Sequence, residues 1–253
     1  MIILKSPREI ALMREAGQIL AEVMERLRAF VKPGISTAEI DREVEAYLES
    51  RGAKPAFKGY RGFPATVCTS INEEVVHGIP AATRRLKEGD IIGLDLGCVV
   101  DGYYADCAFT LPIGEVPPRV QELLDVTRES LERAVAQCRP GRRIGDISHA
   151  VQEHVERHGF SVVRAFVGHG IGRELHEDPQ IPNFGEPGRG PVLKPGMVLA
   201  IEPMVTMGGW EVRILPDRWT AVTQDGSLAA HFEHTVAISD NGPDILTRAD
   251  QGS

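Results

Sequence analysis

Two histidines seven residues apart, His169 and His176, lie in the glycine-dense stretch Phe166-Val-Gly-His-Gly-Ile-Gly-Arg-Glu-Leu-His176. Glycines on both sides of His169 let a small charged centre and its ligands approach the backbone. Four acids, Asp95, Asp106, Glu202 and Glu233, stand in strand-like segments and can complete a metal site. Ile91-Ile-Gly-Leu-Asp95-Leu-Gly and Val198-Leu-Ala-Ile-Glu202-Pro-Met-Val each place a carboxylate inside an apolar run, where an unpaired charge is costly to bury. One histidine with four carboxylates is an oxygen-rich set, suited to two hard or borderline divalent ions rather than one structural zinc. A carboxylate-bridged ion pair that keeps a water between its ions performs hydrolysis.

The spacing also predicts how two of the acids meet. Val100-Asp101-Gly102-Tyr103 has the Asp-Gly pair that suits a two-residue type I′ turn. If Val100 pairs with Tyr103, Gly97 opposes Asp106, and Asp95 shares a face with Gly97, so the two aspartates are diagonal neighbours. Glu233, in Ala229-Ala-His-Phe-Glu-His-Thr-Val, is less constrained: it or His234 could face water. His77, in the polar turn Asn72-Glu-Glu-Val-Val-His-Gly-Ile-Pro80, could stand at a pocket rim. Composition alone divides evenly between structural and functional roles for His77 and His176.

These residues need a scaffold, and the chain writes it twice. Ser6-Pro7-Arg8-Glu9 and Ser36-Thr37-Ala38-Glu39 are capping boxes, predicting one helix to about Phe30 and a second with Ile40, Val44 and Leu48 as its apolar stripe before Gly52. Pro140, Ile147, Val151 and Gly159 follow Pro33, Ile40, Val44 and Gly52 by 107 positions each. Leu193-Lys194 follows Leu86-Lys87, and Glu202 follows Asp95, at the same offset of 107. A constant offset over separate segments implies a duplicated helix–helix–strand unit with one acid from each half. Strands are expected at 63–71, 91–100, 103–111, 160–166, 197–205 and 232–238, a helix at 117–137, and a loop over the site at 179–195. The segment from Asn241 should begin as a polar turn and fray at its end.

A 253-residue chain with 42% hydrophobic and 25% charged residues is an ordinary globular protein with a substantial core. A net charge of −8 argues against general nucleic-acid binding, and no apolar run reaches the ~18 residues a membrane span needs. Cys68, Cys98, Cys107 and Cys138 form no Cys-x-x-Cys pair and are expected as free thiols of a cytoplasmic protein.

Taken together, Phe166 to Phe184, Cys68 to Pro80, Asp95 with Asp106, Glu202-Pro-Met204 and Phe232-Glu-His-Thr235 resemble the type I methionine aminopeptidases. The likeness runs from the first helix to Asn241-Gly242. It implies an α+β pita-bread (creatinase/aminopeptidase-like) fold: a single domain over residues 1–253, with pseudo-symmetric halves at about 6–112 and 117–240 enclosing a dimetal site. By that resemblance Asp95, Asp106, His169, Glu202 and Glu233 hold two divalent ions (cobalt, manganese, iron(II) or zinc), with Asp106 and Glu233 bridging. Glu202 would shuttle the proton, His176 stabilise the oxyanion, and His77 contact the substrate near the scissile amide. Tyr60, Phe63, Cys68 and Trp219 would receive the methionine side chain, a soft thioether suited to rings and a thiol.

The implied activity is co-translational removal of the N-terminal methionine from nascent polypeptides with a small second residue, by a monomer that acts beside the ribosome. Leu175, Phe57, His231, Cys107 and Gly93 depart from the family's usual residues, and Cys107 would expose the site to oxidation. A proline-specific aminopeptidase of the same fold is the rival enzyme, disfavoured because such relatives usually carry a further N-terminal domain. A non-catalytic peptide-binding protein on that scaffold is the other, disfavoured by the complete ligand set.

Overall fold

Ser6 and Ser36 open the first two helices of the structure, a computed structural model that describes residues 1–249. Each serine hydroxyl accepts the N–H of the glutamate three residues on, and the carboxylates of Glu9 and Glu39 accept the serines' own N–H groups at 2.8 Å. These reciprocal bonds fix the starts of α1 (Pro7–Phe30) and α2 (Thr37–Ser50). Ile40, Val44 and Leu48 are fully buried, and burial of each such side chain stabilises by roughly 1.5–3 kcal/mol. The second helix pair is α3 (Pro118–Ala136) and α4 (Ile144–Arg157), with Ile147, Val151 and Val155 buried at the matching positions.

Between the helix pairs run β1 (Lys54–Pro55), β2 (Val67–Ile71), β3 (Glu74–Val76), β4 (Ile91–Val100) and β5 (Tyr103–Pro112). After α4 come β6 (Ser161–Val162), β7 (Gly168–Gly170), β8 (Glu177–Ile181), β9 (Val198–Ile201) and β10 (Met204–Thr206). β11 (Val212–Ile214), β12 (Ala221–Thr223), β13 (Ala229–His231), β14 (His234–Ser239) and β15 (Gly242–Ile245) complete the order. β4 carries β5 on one edge and β2 with β1 on the other. The larger sheet runs β15-β14-β9-β7-β8. α1 packs across β4 and β5, and α3 against β13 and β10.

The turn at Asp101-Gly102 has φ of 48° and 80°, as a type I′ turn requires, and the ladder pairs Val100 with Tyr103 and Gly97 with Asp106 as expected. Two three-stranded sheets, β13-β10-β6 and β11-β12-β3, complete the set, and β5 joins the β4 sheet to the 231–235 segment between β13 and β14. Ala108 and Glu233 exchange backbone bonds across this seam, the Glu233 N–H donating to the Ala108 carbonyl at 2.8 Å. On either side a threonine hydroxyl replaces a backbone partner. Thr235 accepts the Asp106 N–H at 2.9 Å and donates to the Asp106 carbonyl at 2.7 Å. Thr110 accepts the His231 N–H and donates to the His231 carbonyl, both at 2.9 Å.

Several expected strands come out shorter. The first begins only at Val67, after a 3₁₀ turn over Tyr60–Gly62 and Pro64. Ser161–Val162 alone is extended between 160 and 166. The 197–205 run is split into β9 and β10, while the 232–238 strand begins only at His234 as β14, with β13 ahead of the expected bounds. The register is continuous across the split, since Ile201 pairs with His234 and Met204 with His231. The ladder lapses because Pro203 has no N–H to give and the Glu233 N–H is drawn away to Ala108. The 179–195 segment begins inside β8 and then returns to α4, where Gly145 and Ile144 donate to the Arg189 and Pro191 carbonyls. It therefore caps a helix start and is not among the residues lining the site. The Asp240-Asn241 turn is present, but β15 follows it, and residues 250–253, where fraying was expected, lie outside the described residues.

The threonine seam gives a stability test. Thr235→Val keeps shape but leaves a buried N–H and carbonyl of Asp106 without partners, so it should cost about 1–3 kcal/mol in denaturant unfolding. Thr235→Ser, which retains the hydroxyl, should cost clearly less. A valine variant as stable as wild type would contradict this role.

Candidate metal centre

Period-two geometry carries the five expected ligands to one face. Asp95 on β4 opposes Ala108 on β5, and Glu233 meets Ala108 from the other edge. Asp106 lies two residues from Ala108 and so shares that face. In the larger sheet His169 on β7 opposes Ala200 on β9, two residues before Glu202. Gly168 and Gly170, on the opposite face, are required for strand packing rather than for metal access. A Cβ on Gly168 would stand 2.5 Å from the Ala200 carbonyl oxygen, and one on Gly170 2.1 Å from that of Asp178.

The donor atoms of Asp106, His169 and Glu233 all lie within 4.8 Å of one another. His169 Nε2 is 3.5 Å from Glu202 Oε1 and 4.0 Å from Asp106 Oδ2. Its Nδ1 sits 2.9 Å from the Gly170 carbonyl, which orients Nδ1–H outward and leaves the Nε2 lone pair for a cation. Asp95 Oδ1, Asp106 Oδ1 and Glu233 Oε1 are buried and have no hydrogen-bond partner. Burial pushes the Asp95 carboxyl up to about 7. Burial, reinforced by the neighbouring carboxylates, pushes Asp106, Glu202 and Glu233 well above the usual carboxylate range. Burial also holds His169 down to about 3, so its ring is neutral and able to ligate at ordinary pH. Orphaned oxygens, mutual repulsion and a neutral imidazole together form a donor set that fits divalent cations.

A cavity of about 180 Å³ opens onto this cluster. Every residue expected at the site from sequence lines it: the five ligands together with His77, His176, Tyr60, Phe63, Cys68 and Trp219. Phe63 and Trp219 meet edge to face at 5.1 Å between ring centroids, with Cys68 buried. His77 adopts φ of 62°, an uncommon backbone for a non-glycine residue, and sets its ring edge-on to Phe166 at 5.4 Å. Tyr60 Oη lies 2.9 Å from His176 Nδ1, and the His176 ring is 4.2 Å from that of His169.

Arg61, Val76, Val167 and Met204 also line the cavity, with Phe57 and Leu175 in its wall. Phe166, Val167 and Met204 were signalled only by adjacency to motif residues, and Arg61 by nothing in the sequence. Of the departures, His231 lies under Glu202, its Nε2 3.9 Å from Oε2. Cys107 does not line the cavity. Strand alternation turns it into the core, where it is fully buried, its thiol pushed up by burial and donating to Leu96, so the expected oxidation sensitivity has no basis here. All four cysteines are free and buried, and among the described residues no helix is long and apolar enough to cross a membrane.

The electrostatics yield a pH test. A carboxyl raised from 3.8 to about 7 in the folded chain adds stability that is full below the lower value and lost as pH rises through the upper one. In chelator-stripped protein, the stability of wild type relative to Asp95→Asn should therefore fall between about pH 4 and about pH 7, and added manganese should reverse the fall. A gap that stays constant over that range would contradict the burial of an unpaired acid.

Comparison with known proteins accords with this geometry. The model of metallopeptidase family M24 matches residues 11–240. A methionine aminopeptidase 1 from Bacillus subtilis (strain 168) is 55% identical over 248 residues, covering 98% of this chain and 100% of that protein. The crystal structure of a methionine aminopeptidase from Thermotoga maritima superposes with a TM-score of 0.97 at 51% identity, over 98% of this chain and 100% of that one. A Xaa-Pro dipeptidase from Bacillus anthracis shares the fold alone, with a TM-score of 0.78 at 22% identity, and this chain covers 63% of its length. The α+β architecture is the pita-bread fold, and the chain belongs to metallopeptidase family M24, among its methionine aminopeptidases.

Proposed function

We propose that this chain removes the N-terminal methionine from nascent polypeptides whose second residue is small. The observation that carries the reading is the juxtaposition of a buried, cation-demanding acid cluster with a cavity walled by Phe63, Trp219 and Cys68. Identity of 55% to a methionine aminopeptidase over nearly the whole chain supports it. Asp95, Asp106, His169, Glu202 and Glu233 would hold two divalent ions. Manganese, iron(II), cobalt or zinc would supply Lewis-acid activation of a water for attack on the first peptide bond.

The chain's own groups do the rest. Phe63, Trp219 and Cys68 seat the thioether. Glu202, held near His169 and His231, takes the proton from water and passes it to the leaving amine. Burial and the Arg61 charge keep His176 below its ordinary pKa and hence neutral. Tyr60 Oη lies 2.9 Å from His176 Nδ1, and the tautomer that accepts a bond there carries its proton on Nε2, free to bond the developing oxyanion. His77, held down to about 4 by burial, is a neutral contact for the scissile amide. This reading makes the working form a monomer in the cytoplasm, acting on chains as they leave the ribosome.

We also propose that the single domain consists of two halves related by an approximate two-fold axis, Asp95 corresponding to Glu202. Superposing residues 6–112 on 117–240 should bring those two Cα atoms together. Overlaid halves of different topology would refute the duplication.

The activity has a direct assay. Metal-loaded protein should release methionine from Met-Ala-Ser and leave Ala-Pro intact; the reverse preference would refute the reading. Asp106→Ala should abolish hydrolysis in a folded protein. His176→Ala should lower kcat by roughly 10²- to 10³-fold with metal content intact. A His176→Ala enzyme with lost metal would make the residue a ligand instead, and unchanged kinetics would make it structural.

A further inference from the structure

Lys5 and Glu177 form a buried ion pair outside the ligand set, at 2.5 Å, with their side chains only 4% and 7% exposed. Such a pair gains little stability over an apolar pair of the same shape, because desolvation offsets the attraction. Its geometry shows another use. Glu177 directly follows His176, and its Oε1 accepts the N–H groups of Arg173 and Glu174 at 2.9 and 3.3 Å. One carboxylate thus closes the turn that presents His176. Gly172 leaves room for this: a Cβ there would stand 2.4 Å from Lys5 Cε and 2.7 Å from Glu177 Oε1. The Gly172 carbonyl accepts the Tyr104 N–H at 2.8 Å, tying the turn to β5, the strand of Asp106. Lys5 is itself fixed, its N–H donating to the Gly196 carbonyl at 2.7 Å and its ammonium to that of Ile3 at 3.2 Å.

We infer that Lys5 is a positioning residue for the reaction, holding His176 in place through Glu177. The inference rests on the proposed role of His176. Without the ammonium, Glu177 is a buried lone charge that gains by turning to water, and the two N–H bonds that shape the turn go with it. His176 then loses its alignment on the oxyanion while the metal ligands, on β4, β5, β7 and the 202 and 233 positions, stay where they are.

The test is steady-state hydrolysis of Met-Ala-Ser by metal-loaded protein. Lys5→Met should lower kcat by roughly 10- to 10²-fold, the scale of a small misplacement of a catalytic group, with KM and metal content nearly unchanged. Lys5→Arg should restore most of the loss. In a His176→Ala background Lys5→Met should cause no further loss. Wild-type kcat in Lys5→Met, lost metal, or a full additional loss in the His176→Ala background would overturn the inference. Should Lys5→Met not fold, Lys5→Met/Glu177→Leu leaves no lone buried charge and no acceptor for the Arg173 and Glu174 N–H groups, and wild-type kcat in that folded pair would overturn it equally. Inactive wild type overturns the proposed function itself; active wild type with an insensitive Lys5 overturns only this inference.

Discussion

The seam between β5 and residues 231–235 is the constraint on which the rest of the molecule depends. It is one short antiparallel junction, made by a backbone exchange at Ala108 and Glu233 and by the hydroxyls of Thr110 and Thr235. Those contacts bring a strand of the first half against a strand of the second at the residues that carry Asp106 and Glu233. Two carboxylates are thereby locked close together in the interior. Asp95, from the neighbouring strand, and Glu202, from the far side, add to the same buried volume. A fold that merely maximised burial would avoid this arrangement. Like charges out of water repel, and a lone buried carboxylate is expensive. The arrangement is sensible only if cations enter.

The seam also explains the broken strands. Glu202 and Glu233 occupy the lapse in an otherwise continuous pairing of β9-β10 with β13-β14. Pro203 and the diverted N–H of Glu233 interrupt the ladder at the place where two acids must point into the cavity. Local imperfection in the sheet is thus part of the site. The cavity wall is built differently, from turns and loops: Tyr60 and Arg61 near glycines at positive φ, His77 in a left-handed backbone, and His176 on a turn closed by Glu177. Two strands and the lapse between two others hold the acids, while loops shape what approaches them.

Much of this was legible in the sequence. Asp-Gly between two apolar runs sets the hairpin register, and period two then places Asp95 beside Asp106. Serine–glutamate capping boxes mark where two helices begin. The glycine-flanked His169 and the acids in apolar runs name residues that line the cavity. What could not be read depends on distant partners. Thr110 and Thr235 are unremarkable strand residues until the sheets meet. Gly168 and Gly170 suggest access to metal, whereas packing of β7 between β8 and β9 is what requires them. Cys107 adjoins Asp106 in sequence yet faces the core. Lys5 lies 172 positions from Glu177, and no local pattern links them.

We propose that the acid cluster holds two divalent ions. Anomalous diffraction from crystals grown with manganese tests it most directly. The account predicts two strong peaks in the cavity, both between Asp106 and Glu233, with one of them also at bonding distance from His169 Nε2. Peaks elsewhere on the molecule, with none among these carboxylates, would contradict it.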